Sequence, residues 1–410
     1  MEKLDITRLL DKSFSEDYEP VDLLKLFEKK SKEYGFSTTH ARELLGIERK
    51  SLMPILEGTA KQPNLINVLK IADYLEIDFN VMLASLVAKQ SPENVQKLTE
   101  ARKASFVAKN FDVDRLYSEG FLTTKTDTNT IIDRILTFFG FETLADYENL
   151  IDRVSLAVFS KSKRSFVDKM RHFSVNAAFH IFETIDNPNE YHREALLDLM
   201  PKIKPYCQDV ENGLFIVCKA LYNHGVTVIF QNHLTTSQLR GATFFVKDKP
   251  CIVLTDLFKR YPTIWWALLH ELYHVLFDEE DVKKSGYHLS GEDQITLIDE
   301  EAPNEFASDY FVDKAELNFI RPRIFEEYLV RNFAKKIKVH PSFIYAKFQH
   351  HMKEVEGKDF YGAFRTEFPD YKKAVARLNP ISWKEDYSIP AIAKRLKEIF
   401  DLKEEYGKKE

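Results

Sequence analysis

Residues 270–274 place two histidines and a glutamate at the spacing of a catalytic metal site. The segment reads His-Glu-Leu-Tyr-His and lies inside an apolar stretch. Residues four apart lie on one helix face, so the imidazoles of His270 and His274 can converge on one tetrahedral metal ion. The Glu271 carboxylate lies one position round from that face and can act as general base toward water activated by Zn²⁺. The pattern therefore predicts a zinc cofactor and hydrolysis of an amide bond.

A chance match on a buried helix is the alternative to a metal site. An isolated ionised glutamate in so apolar a helix is costly unless a metal ion or another partner compensates its charge. The active-site helix of a zinc hydrolase needs apolar flanks and one buried acid. The flanking segments Trp265–Leu269 and Val275–Phe277 therefore favour the metal site.

The third zinc ligand is expected downstream, because catalytic zinc generally has three protein ligands plus water. The acidic stretch that begins at Asp299 predicts a helix with this residue as N-cap and Pro303 in the first turn. We expect Glu300 to be the third ligand, with Asn304 one turn further on to hydrogen-bond a ligating histidine. Glu301 is the alternative ligand. An acidic first turn stabilised by the helix dipole is the alternative without a metal.

Strand-like segments precede the metal-binding helix. Residues 226–230 predict one strand, and residues 242–246 and 251–254 predict a hairpin joined by residues 247–250. An edge strand beside the metal can pair with an extended substrate and hold the scissile peptide. Tyr287–His288, in an expected loop after the helix, could stabilise a tetrahedral intermediate.

Length and composition limit the class of protein. A chain of 410 residues is too long for one ordinary core, and 58 basic against 64 acidic residues give no global basic field that would indicate nucleic acid. The N-terminus lacks a signal-peptide pattern and no apolar run is long enough to span a membrane, so we expect a cytoplasmic protein without a membrane partner. Cys207, Cys218 and Cys251 lack CxxC spacing and are expected to be buried thiols.

Short amphipathic helices are predicted near the N-terminus. They cover residues 38–45, residues 49–56 and residues 65–75, with a turn at residues 46–48 and a closing glycine at Gly58. Glycine after a periodic stretch supplies the left-handed residue that ends a helix. This order of elements is typical of a helix-turn-helix.

These helices resemble the Xre, or lambda repressor-like, helix-turn-helix family. The resemblance implies that Arg49, Lys50 and Ser51 face the major groove of DNA. Two features argue against DNA binding: Pro54 lies inside the second helix, and residues 35–90 carry six basic and six acidic side chains. A protein-docking module is the alternative. The segments that carry the likeness are Ala41–Ile47, Leu56–Gly58, Lys61–Pro63 and Leu69–Leu75.

A second resemblance covers roughly residues 155–350 and is to the ImmA/IrrE family of bacterial metallopeptidases. It implies a regulatory peptidase of narrow specificity whose protein substrate is a helix-turn-helix repressor. In the family pattern an alanine usually occupies the place of Pro303, which leaves the register of the third ligand open between Glu300 and Glu301. The segments that carry the likeness are Gly225-Val226, Gly241-Ala242, His270-Glu271 with His274, Asn304–Ala307, Phe333–Lys336 and Val339–Pro341.

The expected fold class is α+β and mostly helical, with a zincin-like metallopeptidase domain that contains a small β-sheet. We predict a helix-turn-helix domain at residues 1–90 and a helical middle region at residues 91–222. The metallopeptidase domain is predicted at residues 223–350, and a helical C-terminal extension at residues 351–410.

Two other functions fit the same sequence. One is a DNA-binding transcriptional regulator whose peptidase fold serves as a sensor or dimerisation body. The other is the protease component of a toxin–antitoxin or antiphage system. The sequence leaves the substrate, the trigger and the oligomeric state open, including a homodimer.

Overall fold

The structure is a computed structural model that describes residues 19–89, 92–158, 169–235, 237, 239–257, 259–285, 287–290 and 300–401. The chain divides into two compact units, Met1–Ser105 and Phe106–Glu410. The described residues are mostly helical and include one small sheet, so the fold class is α+β with helices predominant, as expected.

The first unit is built from short helices around a core of its own. Buried side chains of this core include Leu23, Phe27, Leu52, Ile71 and Met82. One further helix, Pro92–Asn110, crosses the boundary between the units. The helices are α1 (Leu23–Glu33), α2 (Thr38–Leu45), α3 (Arg49–Glu57), α4 (Leu65–Leu75), α5 (Phe79–Ala88) and α6 (Pro92–Asn110).

The predicted helix-turn-helix elements are confirmed as helices. Gly46 and Gly58 end α2 and α3 in the left-handed conformation, with φ of 62° and 73°. The Asn64 side chain caps α4 by accepting hydrogen bonds from two backbone amides. Pro54 lies inside α3, and the helix nevertheless continues to Glu57. Local capping signals in the sequence therefore set the bounds of these helices.

The second unit surrounds its sheet with helices. Before the sheet come α7 (Val113–Ser118), α8 (Thr128–Phe139), α9 (Leu144–Val158), α10 (Lys169–Ile185), α11 (Arg193–Ile203) and α12 (Gly213–Asn223). From the sheet onward come α13 (Tyr261–Phe277), α14 (Glu279–Ser285), α15 (Glu301–Phe311), α16 (Lys314–Ile320), α17 (Glu327–Lys336), α18 (Pro341–Glu356), α19 (Tyr371–Val375) and α20 (Ile389–Asp401).

The sheet contains β1 (Thr227–Gln231), β2 (Gly241–Val246), β3 (Lys249–Thr255) and β4 (Tyr287–Ser290) in the order β1-β3-β2-β4. Strands β1 and β3 pair in parallel, while β2 pairs antiparallel with both β3 and β4. Almost every residue of the first three strands is buried, which is typical of a sheet covered on both faces. Helix α13 packs against β2 and β3 and brings its buried face to the sheet.

The predicted hairpin is confirmed as the β2–β3 pair, but its loop is shorter than expected. Only Lys247 and Asp248 form the turn, with φ of 51° and 64°, and Lys249 already pairs with Val246. Two residues with positive φ match the right-handed twist of the strands, so the longer loop is not needed. The prediction of a loop at Tyr287–His288 was also wrong, because these residues pair with β2 and form β4.

The C-terminal residues are integrated into the second unit. Ile381 forms a parallel bridge with Gln231 beyond the β1 edge, Trp383 Nε1 donates to the Asn232 carbonyl, and α20 packs against α10. The boundaries predicted at 222 and 350 both fall inside this unit, where one core of buried side chains extends from Phe106 to Phe400.

Two further expectations concern the cysteines and membrane spans. Cys207, Cys218 and Cys251 are free and buried, as predicted. Across the residues that the structure describes, we find no helix with the length and apolar character needed to cross a bilayer.

Gly225, which leads into β1, is expected to tolerate no side chain. Its φ is +82°, and an added Cβ would lie 2.5 Å from the backbone nitrogen of Tyr191. Gly225→Ala should lower the free energy of unfolding by about 2 kcal/mol, because backbone must shift and the residue stays strained. Urea denaturation measures the change. The matched control is Gly362→Ala, whose Cβ meets nothing within 4 Å and should have little effect; equal losses would contradict the prediction.

Candidate metal centre

Helix α13 positions both histidines. It begins after the N-cap Arg260 with a proline in its first turn, and its length places the HExxH segment deep in the core. His270 is 1% exposed, and Glu271 and His274 are fully buried. Because the three residues lie within one and a half turns of one rigid helix, their relative placement is set by helical geometry.

The two imidazoles face each other through their Nε2 atoms. His270 Nε2 and His274 Nε2 are 3.1 Å apart. On the far side of each ring, His270 Nδ1 lies 3.1 Å from Asn304 Oδ1, and His274 Nδ1 lies 2.7 Å from Asp278 Oδ2. A ring that donates from Nδ1 to an oxygen presents a lone pair at Nε2. Two such lone pairs at this distance repel unless a cation lies between them.

Helix α15 brings an acid to the same point. Glu300 Oε2 lies 3.1 Å from His270 Nε2, and ligand atoms of His270, His274 and Glu300 all lie within 4.8 Å of one another. The helix begins at Glu301 with Glu300 as its N-cap, and Asp299, the predicted N-cap, lies outside the described residues. Glu301 is exposed and is not part of the cluster.

The donor set fits a metal ion. Two Zn–N bonds of about 2.05 Å at a tetrahedral angle separate the nitrogens by about 3.3 Å, close to the separation of the Nε2 atoms. Two imidazoles and one carboxylate are also a ligand set that catalytic zinc uses. The buried His270, His274 and Glu300 cluster can therefore hold a metal ion.

Strand β2 lies against the carboxylate of Glu271. Thr243 Oγ1 donates a 2.7 Å hydrogen bond to Glu271 Oε2. At Gly241 an added Cβ would lie 2.4 Å from Glu271 Oε1, so only glycine allows the strand to approach this closely. The strand and its threonine therefore fix the position of the buried acid.

Arg240, directly before β2, interacts electrostatically with both glutamates. Its backbone carbonyl accepts a hydrogen bond from the Thr255 amide, which ties it to β3. Burial lowers the pKa of the Arg240 guanidinium, and the carboxylates of Glu271 and Glu300 oppose that shift. An arginine nevertheless stays protonated in proteins, so the site contains a fixed cation beside two acids.

A cavity of about 1240 Å³ adjoins the centre. Asn304 and Arg240 line it, and Asn304 connects it to the metal ligands through its contact with His270. Its other walls come from the N-terminal half of α13 and from α15, α16 and α18. The cavity gives a ligand of peptide size a place beside the cluster.

Sequence reasoning missed four residues of this site. Asp278 had a signal, because it follows His274 by four residues and continues the same helix face. Gly241 was named only within a segment that carries the family likeness, and Thr243 and Arg240 had no signal, since all three are about thirty residues away from Glu271 in sequence.

The predicted DNA-contacting residues belong to the first unit. Arg49 and Lys50 are exposed at the start of α3, and Ser51 is half-buried. Lys50 Nζ lies 2.8 Å from Glu48 Oε2, so its charge is partly compensated within the unit. None of the three contributes to the metal centre.

No family model, curated protein or solved structure matches this chain.

We expect Glu300 to be required for metal binding and Glu301 to be dispensable. Glu300→Gln should weaken zinc binding by more than about 100-fold, because an amide oxygen is a poor substitute for a carboxylate ligand. The neighbouring Glu301→Gln is the matched control and should bind zinc as the wild type does. Competition with a chromophoric chelator measures both affinities. The opposite ranking would assign the ligand to Glu301.

Asp278 is expected to orient His274. Asp278→Asn should lower zinc affinity by about 10- to 100-fold, because the carboxylate that accepts from Nδ1 and raises the basicity of Nε2 is lost. Asp281→Asn, an exposed acid on α14, is the control and should change nothing. Unchanged affinity in Asp278→Asn would show that the 2.7 Å contact does not tune the ligand.

Proposed function

We propose that the protein is a zinc-dependent endopeptidase with a zincin-like catalytic domain. One observation carries the proposal: two Nε2 atoms and a glutamate oxygen converge on one point, and the residue between the histidines is a buried glutamate. A structural metal site would need His270, His274 and Glu300 but would not need a buried glutamate at position 271. A bound zinc ion would supply a Lewis acid that polarises the scissile carbonyl and makes water more acidic.

Glu271 is the proposed general base. The Thr243 hydroxyl donates to one of its oxygens and so orients the carboxylate that would accept a proton from the attacking water. The same carboxyl group can then deliver that proton to the leaving amine. Gly241 and Thr243 restrict the position of the carboxylate, which supports its assignment as general base.

Arg240 is proposed to stabilise the negative charge that develops on the carbonyl oxygen during attack. It is the fixed cation next to Glu271 and Glu300, and a largely buried guanidinium acts more strongly on developing charge than one in water. The adjoining cavity is the proposed substrate cleft. Among the described strands β1 and β4 form the edges of the sheet, and Gln231 of β1 already bridges Ile381, so β4 rather than β2 is the strand proposed to pair with an extended peptide.

The resemblance to the ImmA/IrrE family suggests the physiological role. By that likeness the substrate is a helix-turn-helix repressor or a similar partner protein in the cytoplasm. Cleavage would relieve repression. The protein is then a regulatory protease and does not degrade proteins in bulk.

We propose that the first unit docks the enzyme on a protein partner. Several of its cations are already paired with acids, including Lys50 with Glu48, Lys30 with Glu76 and Arg42 with Glu43. This pairing reduces the positive charge available to phosphates, which supply most of the affinity for DNA. We therefore favour docking on a protein partner over DNA binding as the role of the first unit.

Glu271→Gln should retain the metal and abolish cleavage. Glutamine has the same shape and can still accept from Thr243, but it cannot take a proton, so the rate should fall by about 10³-fold. The assay incubates the zinc-loaded protein with helix-turn-helix repressors encoded beside its gene and identifies fragments by mass spectrometry. Zinc content is measured in parallel.

Chelation followed by readdition of zinc is the control for contaminating proteases. Cleavage should disappear with the metal and return with it in the wild type, and it should not return in Glu271→Gln. A zinc-loaded Glu271→Gln protein that cleaves as fast as the wild type would overturn the proposed mechanism.

A further inference from the structure

Arg260 is held rigidly in the wall of the cavity. Its Nη1 donates a 3.0 Å hydrogen bond to Gln349 Oε1, and its Nη2 donates a 3.1 Å bond to the Tyr361 carbonyl. Gln349 is fully buried and donates in turn to the carbonyls of Phe360 and Ala363, both at 2.9 Å. The guanidinium is therefore preorganised by a network that extends into the core.

Aromatic rings hold the same guanidinium from the side. Its carbon lies 4.7 Å from the ring centroid of Phe368 and 5.2 Å from that of Tyr361. Lys353 Nζ lies 5.1 Å from the centroid of the same tyrosine ring. All four residues line the cavity, so two cations are gathered around one aromatic side chain on its wall.

These two cations lack the carboxylate partners that other cations of the cavity have. Lys314 pairs with Glu305, and Lys347 pairs with Asp309. Among the residues that the structure describes, neither Arg260 nor Lys353 forms an ion pair with a carboxylate. The Arg260 fork contacts only neutral oxygens, which leaves its charge uncompensated.

The position of Arg260 in the chain gives its approximate distance along the helix from His270. It is the N-cap of α13, ten residues before His270 on the same helix. At a rise of 1.5 Å per residue this is about 15 Å. An extended peptide advances about 3.3 Å per residue, so roughly four or five residues span that distance.

We propose that Arg260 and Lys353 form an anion subsite that binds a carboxylate of the polypeptide substrate roughly four or five residues from the cleaved bond. This inference rests on the proposed function and names its substrate class: a polypeptide with an acidic group at that distance. A guanidinium fork matches a carboxylate in shape and charge, and a nearby ammonium adds to the attraction. The carboxylate belongs either to an Asp or Glu side chain or to the substrate's C-terminus.

The test uses peptides that carry a hydroxamate, which chelates zinc and anchors one end at the metal. A single glutamate is moved along an otherwise neutral chain. In one series the hydroxamate is at the C-terminus and the N-terminus is acetylated, and in a second the hydroxamate is at the N-terminus and the C-terminus is amidated. Affinity for the zinc-loaded full-length protein should peak when the glutamate is roughly four or five residues from the anchor. At that position glutamate should bind about 10-fold more tightly than glutamine.

Variants separate the subsite from a general charge effect. Arg260→Gln and Lys353→Gln should each remove most of the glutamate preference, while Lys314→Gln, a cavity cation already paired with Glu305, should keep it. Lys353 is exposed, so its variant is informative even if Arg260→Gln disturbs the fold. In the second series, a free C-terminus that replaces the glutamate distinguishes a terminal carboxylate from an acidic side chain.

The outcomes separate this inference from the proposed function. A glutamate preference that is absent, independent of position or unchanged in both variants overturns the subsite, whether or not cleavage is observed. A preference that depends on Arg260 and Lys353, together with no cleavage of any repressor, supports the subsite and overturns the peptidase. The binding assay needs only the metal, so it does not depend on catalysis.

Discussion

The second unit depends on one constraint: two imidazoles must face each other inside a hydrophobic core. Their Nε2 atoms are 3.1 Å apart, and each ring is fixed by an oxygen at its Nδ1. Those oxygens come from α15, through Asn304, and from the end of α13, through Asp278. A pair of this kind is unfavourable by itself, so the packing of both helices maintains an arrangement that a cation would stabilise.

The sheet is the other half of the site. Strand β2 approaches α13 so closely that Gly241 has no space for a side chain. The Thr243 hydroxyl donates a hydrogen bond to the buried Glu271. Burying an acid without a hydrogen bond is costly, and this contact compensates part of that cost. The strand therefore has two roles: it forms part of the core, and it fixes a buried carboxylate whose position the helix alone would leave less defined.

The sequence predicted the local elements and one set of long-range contacts, those of Glu300 and Asn304 with the metal-binding helix, and missed the other long-range contacts. The spacing of His270 and His274 determines their convergence, and the acidic stretch after the helix was enough to name Glu300. The hairpin and the N-terminal helices were also accessible, because periodicity and capping residues encode them. Strand β4, the contact between Thr243 and Glu271, and the bridge of Ile381 to β1 depend on tertiary pairing, for which a single sequence has no short-range signal.

Charge balance gives an independent argument for a divalent ion at the centre. By formal charge, the carboxylates of Glu271, Glu300 and Asp278 and the guanidinium of Arg240 sum to minus two. Uncompensated charge in a largely buried site is unfavourable, and such groups are normally paired or coordinate a metal. A divalent cation neutralises this set, whereas a monovalent ion leaves it negative. Because Arg240 lies beside both glutamates, it also limits the charge that the ion must offset.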